Sequence, residues 1–298
     1  MRLDRRGGVW YIQCDDPEAE VPAWSKPRRI ADGVMMNKPT VLKNGDWLFP
    51  IAIFQTRYVC DSTSPREGAH LFRSSDGGET LEDVNTIRIP ETYFPEHTFI
   101  ERSDGSLWLL ARSHTYPSFR RDKSGAMRPL TFGNCGIAEA FSYDGGKIFS
   151  GVRASRIPAC GTRFHISRLN SGRLLLIIND ANNAAWLSGK PRGEADAVDF
   201  PRNKMLAYLS DDDGKTWKGG LLLDGRESVS YPDASQSDDG SIYLCYDRER
   251  YKEREILVAK IREEDILAGG LVSKDSKIKI LANKGGKKFS EISGGGSK

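Results

Sequence analysis

Hydrophobic residues along this chain fall into short runs of about five or six, each introduced by a small polar turn. The plainest case is Glu96-His-Thr-Phe-Ile-Glu-Arg-Ser-Asp-Gly-Ser-Leu-Trp-Leu-Leu-Ala-Arg112. The pattern predicts a β-hairpin, with an extended run, a Ser103-Asp104-Gly105 turn, and a second run from Leu107 to Ala111. Asp-Gly supplies the φ > 0 geometry that tight hairpin turns need. The second run is apolar on both faces, so the hairpin belongs in the interior of a multi-sheet body. Yet it opens on a carboxylate and closes on a guanidinium, at the open ends of adjacent strands. Buried charge is costly unless it is paired or functional.

The hairpin turn recurs as Lys43-Asn44-Gly45, Ser103-Asp104-Gly105, Asn170-Ser171-Gly172 and Asp238-Asp239-Gly240. The glycines at 45, 105, 172 and 240 are 60, 67 and 68 residues apart, and each precedes an apolar run. A second pattern runs in phase: Ser74-x-Asp76-x-Gly78-x-Thr80-Leu81, Ser142-x-Asp144-x-Gly146-x-Ile148-Phe149 and Ser210-x-Asp212-x-Gly214-x-Thr216-Trp217, with aspartates 68 and 68 residues apart. Two independent patterns with one period, and four strand-like segments per unit, predict an all-β protein of four-stranded antiparallel blades, a β-propeller. The units span 33–90, 92–156, 159–226 and 229–282. Val9–Gln13 and Trp24–Ile30 read as outer strands of a partial N-terminal blade that lacks its inner hairpin. A short helix is expected at Glu263–Ala268, ended by Gly269-Gly270. The propeller would occupy residues 1–283, and 284–298 has the composition of a flexible tail.

Composition adds mainly exclusions. A net charge of +3 with no basic stripe gives no reason to expect nucleic acid, and no apolar run approaches the length of a membrane helix. The start, Met-Arg-Leu-Asp-Arg-Arg-Gly-Gly, lacks the apolar core of a signal peptide. The five cysteines are scattered without a CxxC pair, so neither a metal site nor a disulfide framework is indicated, no cofactor is expected, and buried thiols are anticipated. Oligomeric state is left open.

In a propeller the inner strands converge on a central mouth, so equivalent positions in successive repeats mark the candidate site. Nine residues before each turn glycine stand Glu96, Arg163 and Tyr231, with Asn37 in the shorter first turn. Seven residues after it stand Ala52, Arg112, Asn179 and Asp247. Such a row of strand ends carries chemistry rather than packing.

The second repeat matches the Asp-box, Ser-x-Asp-x-Gly-x-Thr-Trp, of sialidase-like propellers, complete only in the third copy. There the aspartate accepts backbone N–H bonds across a turn and the aromatic packs into the blade. Glu96 to Arg112 resembles the sialidase segment with a catalytic Glu on one strand and a substrate-binding Arg closing the next. Pro201-Arg202-Asn-Lys-Met-Leu-Ala-Tyr-Leu-Ser210 resembles the segment with the third arginine of the triad. Tyr231 to Asp247 is similar to the segment with the nucleophilic tyrosine. The resemblance covers about residues 9–262 and implies a six-bladed family fold and a retaining exo-glycosidase acting on sialoglycans or other acidic carbohydrates. It implies Tyr231 as nucleophile, Glu96 as its base, and Arg112 and Arg202 as carboxylate ligands. Arg163, Asp247 and Asn37 are further pocket candidates.

The first triad arginine of a sialidase lies in an Arg-Ile-Pro context in an opening blade that this chain is expected to lack. Arg88-Ile-Pro90 and Arg156-Ile-Pro158 have the letters but follow Asp-boxes, on outer strands, and read as decoys. The insert 55–68 offers Asp61 as a substitute acid and Arg57 as a donor. A shortened, weakly active or inactive copy, a non-catalytic binder of acidic glycans, and an interaction scaffold are the alternatives.

Overall fold

The computed structural model of the protein describes residues 8–53, 67–89, 92, 95–112, 119–121, 127–129, 137–157, 161–179 and 202–286. These fall into two compact units, one ending at Gly161 and the other beginning at Thr162. The fold class is all-β, with two antiparallel propeller blades in each unit.

In the first unit, one blade runs through Trp47–Ile53, Gly68–Ser74 and Glu82–Ile87, and two short strands, Val34–Met35 and Thr40–Val41, share the inner position beside Trp47–Ile53. The other is ordered Thr98–Glu101, Leu107–Arg112, Ile137–Ser142 and Arg153–Ala154. Ahead of both, Val9–Tyr11 pairs antiparallel with Arg28–Ala31, the two strands anticipated for a partial blade. In the second unit the blades are His165–Arg168, Leu174–Asn179, Met205–Ser210, Lys218–Asp224, and Val229–Gln236, Ile242–Arg248, Glu255–Ile261, Lys277–Lys284.

The repeat in the sequence is a repeat of hydrogen bonds. Gly45, Gly105, Gly172 and Gly240 have φ of +89°, +80°, +86° and +81°. Each donates its N–H to the carbonyl three residues back (Leu42, Arg102, Leu169, Ser237), at 2.9–3.0 Å. Left-handed backbone is cheap only for glycine, which is why the period is carried by glycines. The second motif is equally regular. Gly78, Gly146 and Gly214 donate to Ser74, Ser142 and Ser210 Oγ at 2.8, 2.9 and 2.9 Å. Asp76, Asp144 and Asp212 accept from the N–H of Thr80, Ile148 and Thr216 at 2.9, 2.9 and 2.8 Å. These bonds favour the ionised aspartate and hold all three carboxyls below their ordinary range, against desolvation that at Asp212 is the largest opposing influence.

Inner strands Trp47–Ile53, Leu107–Arg112 and Leu174–Asn179 are buried almost throughout, as apolar residues on both faces require. The fourth, Ile242–Arg248, departs from this. Ile242, Leu244 and Tyr246 face the core while Tyr243 and Cys245 alternate outward and are exposed. Cys14 is half-buried, so neither described cysteine is a buried thiol: strand alternation, not side-chain polarity, sets the exposure of Cys245. The helix Glu263–Ala268 forms as anticipated, with Asp265 accepting from the Arg262 N–H at 2.8 Å and Gly269 closing it at φ +68°.

Candidate functional site

In the first unit, Arg112 at the end of its strand donates through Nη1 to Glu96 Oε2 at 3.0 Å. The Arg112 N–H is also bonded to the Pro95 carbonyl, at 2.7 Å, extending the pairing of the two strands to their ends. Both side chains are largely withdrawn from water, 3% exposed for Glu96 and 14% for Arg112. A charge-assisted bond is the arrangement that makes burial of both tolerable. Glu96 holds φ at +36°. Asn37, buried in the adjoining blade, keeps it there by donating Nδ2 to the carbonyls of Glu96 (2.8 Å) and His97 (2.9 Å). His97 points the other way. Its Nε2 meets the His70 carbonyl at 2.9 Å, and a carbonyl can only accept, so Nε2 carries the proton. Burial pushes its imidazole down to about 4, with the His70 carbonyl bond opposing.

In the second unit, Tyr231 lies in a bulge. The ladder pairs Ser230 with Asp247 and resumes at Asp233 with Cys245, leaving Tyr231 and Pro232 out of register. Tyr231 takes φ +58°, a strained value for a residue with a bulky side chain. Arg163, 5% exposed, holds that backbone: Nη1 donates to the Pro232 carbonyl at 2.6 Å and the Tyr231 carbonyl at 3.4 Å, and Nη2 is bonded to Asp233. Above the ring stand two guanidinium groups, Arg202 with Cζ 5.5 Å from the centroid and Arg250 at 4.3 Å. Arg202 is set by Asn179, whose Nδ2 donates to the carbonyls of Asn203 (3.2 Å) and Val229 (2.9 Å), and by the Val229 N–H on the Arg202 carbonyl at 2.9 Å. Asp247 accepts from Ser230 Oγ at 2.7 Å and pairs with Arg250 at 2.7 Å.

Each sequence candidate among the described residues therefore has a place. Glu96, Arg112 and Asn37 come together in one unit, and Tyr231, Arg202, Arg163 and Asp247 in the other. Arg163, a pocket candidate in the sequence, also serves the scaffold: the bulge turns main-chain carbonyls toward its guanidinium. Arg88 and Arg156 are exposed beyond the edge strands Glu82–Ile87 and Arg153–Ala154. Asp61 and Arg57 lie outside the described residues. Sequence reasoning missed Arg250, whose only signal was its spacing of three from Asp247. Among the described residues no cluster of three or more His, Cys, Asp or Glu could hold a metal ion, and no helix is long and apolar enough to cross a membrane.

The family model described as BNR repeat-like domain matches residues 15–244. The chain belongs to that family. No curated protein matches this BNR repeat-like chain. Among solved structures it is similar to the K499G mutant of NanB sialidase from Streptococcus pneumoniae, at 15% identity and a TM-score of 0.50, over 78% of this chain and 32% of that one. It is also similar to a protein of unknown function from Dyadobacter fermentans (16% identity, TM-score 0.47, 77% of this chain and 65% of that one). A third is the α-L-arabinanase of Penicillium chrysogenum in complex with arabinobiose (14%, TM-score 0.48, 82% and 68%). The BNR repeat-like chain thus spans about a third of the length of the NanB chain, and it has a propeller fold that glycoside hydrolases use.

Proposed function

We propose that this protein is a sialidase-like exo-glycosidase of retaining type, acting on a terminal sialic acid or a related carboxylated sugar. The observation that supports it best is the construction around Tyr231: a phenol on strained backbone whose carbonyls are held by a buried arginine, with two guanidinium groups over its ring. Strain of this kind persists only where surrounding structure over-determines it, and it gathers at functional sites. The residue types suit the chemistry. A carboxylate on the anomeric carbon repels an anionic nucleophile, whereas a neutral phenol approaches freely and needs a base to take its proton. On this reading the Tyr231 oxygen bonds to the anomeric carbon as the bond to the aglycone oxygen breaks, Glu96 takes the phenol proton, the aglycone leaves with a proton from water, and a second water then cleaves the tyrosyl–sugar bond. Arg112 and Arg202 bind the sugar carboxylate, for which the planar guanidinium fork is suited. The guanidinium groups near the phenol also stabilise negative charge as it develops there.

The reading demands that Glu96 and Tyr231 serve one substrate, which variants test. Hydrolysis of a fluorogenic sialoside should fall to background in Tyr231→Phe. In Glu96→Gln kcat should drop by roughly 10²- to 10⁴-fold, the usual worth of a general base. Absence of turnover by the intact chain at every pH between 4 and 8 would overturn the enzymatic reading. The Glu96–Arg112 ion pair favours a second one, a non-catalytic propeller binding acidic glycans, since it already occupies the proposed base. In that case glycan binding survives Tyr231→Phe and is lost in Arg112→Ala.

A further inference from the structure

We infer that Arg250 is a positioning residue that sets the orientation of the Tyr231 ring, and that Asp247 and Ser230 act through it. The inference rests on the reading of Tyr231 as the reacting group. Because Tyr231 and Pro232 fall out of the ladder, cross-strand pairing does not determine where the Tyr231 side chain points. Arg163 fixes the backbone of the bulge through the Tyr231 and Pro232 carbonyls, whereas Arg250 stands over the ring itself. Of the two guanidinium groups over the ring, Arg250 is nearer by more than an ångström, at 4.3 against 5.5 Å. A guanidinium at that distance is attracted to the ring face and, being planar, restricts its tilt.

Arg250 is itself built into place. Its Nη2 lies 2.7 Å from Asp247 Oδ2 and donates to Ser230 Oγ at 3.0 Å, while Ser230 Oγ donates to Asp247 Oδ1 at 2.7 Å. This closed triangle ties the guanidinium to the residue directly before Tyr231 and to the strand opposite. The turn that presents it is tight: Glu249 and Arg254 have φ of +50° and +55°, and the Lys252 and Arg254 N–H groups both donate to the Glu249 carbonyl, at 2.9 and 2.8 Å. The Glu249 N–H reaches back to the Ser228 carbonyl at 3.0 Å, joining the turn to the start of the Tyr231 strand. The Arg250 side chain is 34% exposed, so it is not held there as core packing.

The test combines a spectroscopic and a kinetic readout on the full chain. With 3-fluorotyrosine incorporated, the Tyr231 ¹⁹F resonance, assigned by its loss in Tyr231→Phe, should move and broaden in Arg250→Gln. Asp247→Asn should produce the same change, and the double variant should add nothing to it. On a sialoside, Arg250→Gln should lower kcat on the order of 10- to 10²-fold with KM little altered, and Arg250→Lys should recover part of it. An unmoved resonance in Arg250→Gln overturns the inference whatever the turnover, and so does a loss of stability unaccompanied by a spectral change. A resonance that responds to both variants in a chain that hydrolyses no sialoside sustains the positioning role and removes the glycosidase reading instead.

Discussion

Lowering the pH from 8 to 5 should weaken the fold through His97. Its imidazole is buried, bonded through Nε2 to the His70 carbonyl at 2.9 Å, and packed edge-on against Phe99 with ring centroids 5.4 Å apart. Burial takes it from 6.5 down to about 4. The unfolded chain accepts a proton near pH 6.5 that the folded chain refuses until about 4. A group depressed on folding contributes stability that is fully present above its unfolded value and is lost as pH falls toward the folded one. At about 1.4 kcal/mol per pH unit, the loss is about 2 kcal/mol at pH 5 and about 3 kcal/mol once pH 4 is passed. The Asp144 and Asp212 carboxyls are also held low, and they add their own losses only below the ordinary carboxylate range of about 3.9, outside this window. Urea unfolding of the native chain and of His97→Gln, whose amide can donate to the same carbonyl, isolates the effect, since all other groups are common to both. The native chain should lose about 2 kcal/mol relative to the variant between pH 8 and pH 5. Parallel pH dependence of the two would refute the assignment of a neutral, desolvated His97.

Two further expectations concern the scaffold. Arg163→Ala should lower unfolding free energy by about 3 kcal/mol in chemical denaturation, the low end for breaking a buried ion pair because Asp233 is partly exposed. Arg163→Lys should restore less than half, since one ammonium cannot reach the carbonyls and the carboxylate together. Gly219→Ala should cost more than about 2 kcal/mol, because the added Cβ would lie 2.2 Å from the Ile266 carbonyl of the helix, on backbone at φ +84°. Gly172→Ala, with φ +86° but open space around it, should cost only the conformational penalty of about 1–2 kcal/mol. Equal losses at the two glycines would show that close packing against the helix contributes nothing.

The blades were legible because their signal is local and steric. A glycine at a hairpin turn announces a left-handed residue, and four of them in phase announce the period. The pairing of Glu96 with Arg112 was legible for a related reason: a short turn sets the register, and register sets which strand ends meet. The bulge at Tyr231 was not legible. It depends on two residues dropping out of a ladder, which no pattern of polar and apolar positions records, and it brings Arg163 into contact with the bulge's main-chain carbonyls. Arg250 escaped because it sits in an irregular turn outside the repeat, and its role comes from a triangle of side chains drawn from two strands. The outward face of Tyr243 and Cys245 was missed because the run Ile242-Tyr-Leu-Cys-Tyr246 reads as uniformly apolar, while strand geometry exposes alternate members.

Glu96 and Tyr231, equivalent in the repeat, both hold their main chain where glycine would rest more easily. Relaxing either to glycine would ease the backbone and erase a functional group in one step. If the two residues act as proposed, copies of this gene released from that role should drift toward glycine or asparagine at these two codons first, and the letters found there would separate working descendants from silent ones.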